Sequence, residues 1–231
     1  MHGATHLKSP EKMSWNRIAE ALSVAIHEHR IAPGTKMGED ELAEIYGVSR
    51  TVVRTALQHL AHIQLVDIRR NRGAFVAQPS LQEAREVFEA RELLEPRTAR
   101  SAAQHATADD VALLRRHIDD EHAAIALADR GRALHLSGLF HIELARIARQ
   151  ETIESFVKSL IARSSLIIAL YWRRESAICE RHAHDELVQA VQNHDGLRAE
   201  ELMRSHLVDL HSALDLREKS RPAASLKEAL L

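Results

Sequence analysis

The chain has 231 residues, 31 lysines and arginines against 33 acidic residues, and a formal net charge of −2; this allows one or two domains with a real core and rules out a polycation. A lone cysteine, Cys179, excludes an intrachain disulfide and fits a reducing compartment. The longest apolar run, Leu166–Trp172, falls far short of the ~20 residues that cross a bilayer, and Met1–Met13 has no apolar signal core, so the expectation is a cytoplasmic protein with no membrane partner.

Residues 1–12 read as a loose tail. A first helix fits Trp15–Arg30, where Ile18, Leu22 and Ile26 repeat every four residues and Pro33-Gly34 breaks the pattern. Two short amphipathic helices follow within 39–60, joined by a tight turn at Gly47-Val48, with Ser49 placed to cap the second. Their inward set is Leu42, Ile45, Val48, Val53, Ala56, Leu57 and Leu60. The opposite face of the second helix carries Arg50, Thr51, Arg54, Thr55 and Gln58. A compact helix pair with that polar face is what a helix-turn-helix brings to a DNA major groove.

Residues 65–77 change period, alternating around the basic tip Arg69-Arg-Asn-Arg-Gly73, which signals a β-hairpin. Three helices and such a hairpin make a winged helix over 13–78, its tip set beside the DNA backbone or in the minor groove. Five arginines and a single acid, Asp67, lie between Arg50 and Arg72. This local basic patch suits a reversible DNA binder better than the net charge alone would suggest.

From Leu81 onward strand signals vanish. Helical patterns run through 81–105, 108–129, 132–149, 151–177, 180–194 and 196–218, with short polar residues at Thr107 and Asp195 marking starts or corners. Pro96 falls inside the first of these helices and is expected to kink or break it. Aromatic residues make up 3% of the chain, so the core must be built from Leu, Ile, Val and Ala. Pro79 marks the boundary between the two parts, and 219–231, punctuated by Pro222, read as a second tail. The fold expected is mainly α: an N-terminal winged helix-turn-helix and a C-terminal all-helical bundle over 81–218.

The order of Pro33-Gly34, Glu41-Leu-Ala43, Gly47 to Leu57, Leu65-Val66 and Arg72-Gly-Ala-Phe-Val76 resembles the bacterial GntR family of transcription regulators. Arg91-Glu-Leu-Leu-Glu95, Leu139 to Ala145, and His184 with Met203-Arg-Ser-His206 resemble the FadR branch, whose C-terminal domain is the helical FCD domain. The resemblance implies that Arg50, Thr51 and Arg54 touch bases and phosphates, that Ser49 meets a phosphate, and that Arg72 and Gly73 form the wing tip. Asp40 departs from relatives that carry arginine there. The resemblance also implies a homodimer on a palindromic operator and a small carboxylate effector held in the bundle.

Sixteen histidines are present. Most, including His27, His29 and His62, fall in tails or on polar helix faces and are read as without special role. His141, His184 and His206 lie on three separate helices, the last two at the family's spacing for metal ligands. Where metal-binding relatives place Asp one turn before the first histidine, this chain has Ser137, a poor ligand. Three readings stay open: a three-histidine centre for zinc or nickel, a metal-free polar pocket, or core histidines bonded to backbone. His135 and His182 are weaker substitutes by helical phase. Arg91 and Arg163 are candidates for contacting a bound acid. A metal-dependent enzyme built on the bundle is the rival reading, but neither His-Glu-x-x-His nor paired Glu-x-x-His occurs.

Overall fold

A computed structural model describes residues 13–172 and 181–217. The expected tails, the helix pattern over 173–177, Cys179 and the side chain of His182 lie outside the described residues.

The chain runs α1 (Trp15–His27), β1 (Lys36–Met37), α2 (Glu39–Tyr46), α3 (Arg50–His62), β2 (Val66–Arg69) and β3 (Gly73–Val76). Ile18, Leu22, Ile26, Val53, Leu57 and Leu60 are buried together, as their spacing requires. Gly47 closes α2 in the left-handed region at φ 62, where glycine carries no Cβ penalty. Ser49 occupies the N-cap of α3, yet its side chain makes no capping hydrogen bond; its carbonyl accepts from Val52 and Val53 instead. Ile45, expected inward, is 65% exposed, because Leu42 alone of α2 reaches the core fully. The wing is a three-stranded antiparallel sheet in the order β1-β3-β2, with Arg69 opposite Gly73. β1 escaped the sequence because two residues are too short to show alternation.

The second part comprises α4 (Leu81–His105), α5 (Ala108–Ala126), α6 (Arg130–Ile147), α7 (Glu151–Tyr171), α8 (Arg181–Gln192) and α9 (Gly196–Ser212). Thr107 and Asp110 form a reciprocal capping box at the head of α5, and Asp195 caps α9 through Arg198 N–H. α4 packs against α6, α7, α8 and α9. Pro96 neither breaks nor ends it: the helix continues through the proline to His105. Buried Ala84, Val87 and Phe88 before the proline, and Ala99, Ala102 and Ala103 after it, pin both halves, so packing outweighs one lost backbone bond.

The two parts meet along the end of α1. Ala162 and Leu166 of α7 join the core of the first part. His29, in the left-handed region at φ 56, donates from Nε2 to the Ser165 carbonyl at 3.0 Å, and Ser165 Oγ donates to the His27 carbonyl at 3.3 Å. Gly131, in the first turn of α6, lies so close to the Glu28 carbonyl that a Cβ would collide with it. Tyr171 hydroxyl donates to the Pro79 carbonyl at 2.8 Å, fastening the short connection. His27 and His29, read from sequence as idle, therefore sit at the joint.

Candidate metal centre and nucleic-acid interface

On the first part, Arg50, Thr51, Arg54 and Gln58 are exposed along one face of α3. Both arginines are held by the first turn of α2. Arg54 donates to Glu39 at 3.0 and 2.6 Å, while Arg50 lies 3.1 Å from Asp40 and 3.7 Å from Glu39. The Glu39 carboxyl is held below its ordinary range, chiefly by the Arg54 hydrogen bonds. Asp40, read from the sequence as a departure, is thus the partner of an exposed α3 arginine. At the wing tip, Asn71 (φ 59) and Gly73 (φ 94) supply the left-handed residues of the turn, and Arg72 is exposed. Arg69 stacks its guanidinium 4.7 Å over Phe75 and pairs with Asp67.

In the bundle, α6, α8 and α9 bring His141, His184 and His206 together, all buried. One ligand nitrogen from each lies within 4.8 Å of the others. His206 Nε2 and His141 Nε2 are 3.3 Å apart, and the His184 ring stacks on Phe140 at 4.2 Å.

Two carboxylates stand behind this triad. Glu95 of α4 accepts from His141 Nδ1 at 2.6 Å, and Glu121 of α5 accepts from His184 Nδ1 at 2.9 Å. A carboxylate can only accept, so each of these two rings donates from Nδ1 and turns Nε2 inward. His184 Nε2 has no hydrogen-bond partner among the described residues. Burial pushes His141 and His206 below the ordinary histidine value, keeping them neutral near pH 7. Glu95 is lowered as well, but by its charged neighbours. Burial would raise it, but Arg91, 2.6 Å away, and His141 outweigh that and hold it at about 2. Neutral imidazoles oriented by carboxylates on the far nitrogen are the donor set and outer support of a transition-metal site. The residues present therefore fit a metal.

Two cavities adjoin the triad. One of about 260 Å³ is bordered by His184, His206, Ser137, Trp172, Arg130 and, from the turn after α1, His29. A smaller one of about 70 Å³ is bordered by His27, His135, His141, Ser137 and Arg91. His135 stacks on His27 at 5.4 Å and is not among the converging ligand atoms. Arg91 is buried and committed to Glu95. Arg163 borders neither cavity; it is bound to Glu83 of α4 at 3.0 and 2.6 Å. Glu95 and Glu121 carried no role in the sequence reading. The four-residue spacing of Arg91 and Glu95 on a buried helix was a usable signal for the first; Glu121 had none.

Comparison with known proteins agrees with this architecture. Residues 15–76 match the model of "Bacterial regulatory proteins, gntR family", and residues 86–209 match that of the FCD domain. The chain is 28% identical over 188 residues to the HTH-type transcriptional repressor RspR of Escherichia coli strain K12, covering 80% of this chain and 81% of that protein. It is 28% identical over 169 residues to the Nta operon transcriptional regulator of Aminobacter aminovorans, covering 72% and 79%. The solved structure of E. coli McbR/YncC shares the fold with a TM-score of 0.74 at 18% identity, covering 86% of this chain and 97% of that one. These relatives are regulators of transcription, not enzymes, and the chain belongs to the gntR family of bacterial regulatory proteins, in its FCD-domain form.

Proposed function

We propose that this regulator of the FadR branch works in the cytoplasm as a homodimer on a palindromic operator, its affinity set by a small organic acid bound in the 260 Å³ cavity. His141, His184 and His206 would hold a divalent ion, zinc or nickel by the imidazole donor set. Bound there, the ion would supply a Lewis-acid anchor for a carboxylate. Ser137 borders both cavities but adds no carboxylate, which leaves the histidines as the protein's ligands.

The observation that carries the reading is the inward convergence of three imidazoles, two of them oriented by buried or half-buried carboxylates, beside a cavity whose wall includes His29, two residues past the end of α1. An occupant that favours one position of His29 favours one position of the helix on which the recognition elements pack. Differential affinity for the two arrangements is what changes operator binding. On the DNA side, Ser49, Arg50, Thr51, Arg54, Arg72 and Gly73 are the proposed contacts, with arginine reading guanine through paired hydrogen bonds.

The test couples metal analysis to operator binding. Purified full-length protein should carry about one zinc or nickel per chain. It should also prefer one duplex, chosen from a random pool, over random competitor, with Arg54→Ala weakening that preference more than Gln58→Ala. Protein that stays metal-free in the presence of zinc overturns the metal centre. Absence of any duplex preference overturns the DNA reading.

A further inference from the structure

The link between the two parts, residues 77–80, is held along its length. Ala77 N–H donates to the Leu65 carbonyl at 3.0 Å, the Pro79 carbonyl accepts from the Tyr171 hydroxyl at 2.8 Å, and Ser80 Oγ accepts from Glu83 N–H at 3.1 Å. The other side of the joint is closed by α7. Its Ala162 and Leu166 enter the core that Ile18, Leu22 and Ile26 of α1 share with Val53, Leu57 and Leu60 of α3, and its Ser165 is bonded to both His27 and His29. Against the same turn lies Gly131 of α6, where a Cβ would collide with the Glu28 carbonyl. Because α1 and α3 share one core, α3 follows any tilt of α1. The recognition helix is therefore fixed relative to the bundle by two separate fastenings, the link and the end of α1.

We infer that this joint sets the half-site spacing that the dimer accepts on its operator, with Gly131 and Tyr171 as the residues that fix it. Two reading domains address two half-sites, and whatever holds each domain on its bundle sets the distance and rotation between them. One added base pair moves a half-site by about 3.4 Å along the duplex and turns it by roughly 34°. A loosely tethered domain follows that displacement, whereas a domain fastened on two sides does not. Alanine is a better helix former than glycine, so helix formation does not account for Gly131; the close approach of α6 to the Glu28 carbonyl does. Alanine there meets backbone, which no side-chain rotation relieves, and the end of α1 must move off α6. Removing the Tyr171 hydroxyl acts on the other fastening, because it releases the Pro79 carbonyl and with it the middle of the link. Both residues lie away from the exposed face of α3, so they act on placement and not on base contacts.

This inference rests on the reading of a homodimer on a palindrome, and its test separates the two. Full-length protein is titrated with the palindrome that wild type selects from a random pool, with the same palindrome after adding or removing base pairs between its halves, and with a single half-site. Wild type should prefer the selected spacing over a change of one base pair by about tenfold or more, a part of the gain that joining two sites supplies. In Gly131→Ala the preferred spacing should shift, or the preference should fall below about threefold. Tyr171→Phe should act in the same direction and by less. Affinity for the single half-site should stay within about twofold of wild type in both, since Arg50 and Arg54 are untouched. Helical circular dichroism and denaturant unfolding control for folding, and if Gly131→Ala does not fold, Tyr171→Phe decides alone. A wild-type spacing profile retained in the variants overturns the inference and leaves the paired-operator reading standing. Equal losses on palindrome and half-site overturn it too, because they report damage to the reading surface. A wild type that binds the half-site as tightly as the palindrome overturns both.

Discussion

The molecule carries two groups of buried or half-buried histidines that differ in what lies behind the rings. In the bundle, Glu95 and Glu121 fix the tautomers of His141 and His184. At the joint, His27 and His135 stack at 5.4 Å with no carboxylate bonded to either ring among the described residues, and His29 is fixed by a backbone carbonyl. The first group brings ring nitrogens to a common point; the second shares a surface. The side chain is the same in both, so the partner on the far nitrogen decides whether a histidine cluster becomes a ligand set or a pH-sensitive contact.

The strongest way to break this comparison is to remove the carboxylate that serves two masters. Glu95 neutralises Arg91 and orients His141 with both partners buried. Glu95→Ala should cost about 3–5 kcal/mol of unfolding free energy, because it leaves a buried guanidinium unpaired. Denaturant unfolding reads this directly. A loss below about 1 kcal/mol would mean that Arg91 finds another partner and that the support is not specific.

Acid should act on the joint. His27 is lowered from its ordinary 6.5 to about 4, first by burial and then by the charges of His135 and His29. His29 and His135 are lowered as well, mainly by burial, opposed at His29 by the Ser165 bond and at His135 by Glu28. Arg91 and Lys158 border the same small cavity and add positive charge. Above pH 6.5 the folded and unfolded chains hold His27 alike, and its protonation changes nothing. Between 6.5 and about 4 the unfolded chain takes the proton first, so stability falls as pH falls and levels off below that window. The ceiling is about 3 kcal/mol for His27 alone, from its fall from 6.5 to about 4. Carboxylates add their own losses at the acid end, so the reading is the difference between wild type and His27→Gln. That variant should flatten the curve between pH 6.5 and 4, and an unchanged slope would exclude His27.

How far the sequence reached follows the same division. Helix periodicity, Gly47, Thr107 and Pro79 are local signals, and the helical architecture they imply is present. The pairing of His184 with His206 was legible because a family spacing carries it. Glu121, 63 residues from His184, was not, since nothing local ties a helix-face acid to a histidine two helices away. The joint stayed hidden for the same reason. His27 ends α1 and His29 lies two residues beyond it, and only the arrival of α6 and α7 turns that end inward. Pro96 shows the converse error, a correct local cost overridden by packing on both sides.

Glu121 offers a finer cut than Glu95, because its removal leaves no buried guanidinium behind. Glu121→Gln should keep the fold and lower metal affinity about 10- to 100-fold, the usual effect of losing a carboxylate behind a ligating histidine. Competition with a colorimetric chelator measures it. The joint gives the control: His135→Gln should leave metal affinity unchanged, and a comparable loss there would erase the distinction between the two clusters.

The smallest effect is expected where the carboxylate–base pairing is repeated at the surface. Glu39 clasps Arg54 and lies near Arg50, but both arginines are more than half exposed, where such pairs contribute little to stability. Their consequence is for DNA. In the free protein Glu39 occupies the guanidinium edge that the proposed DNA contact would use, and it would set a negative charge beside the groove. Glu39→Gln should therefore tighten operator binding a few-fold at low salt, with the gain shrinking as salt screens the lost repulsion. Unfolding free energy should stay nearly constant. Weaker binding instead would mean that the clasp positions Arg54 for the groove rather than competing with it. The surface pair would then work as Glu95 and Glu121 do, through orientation.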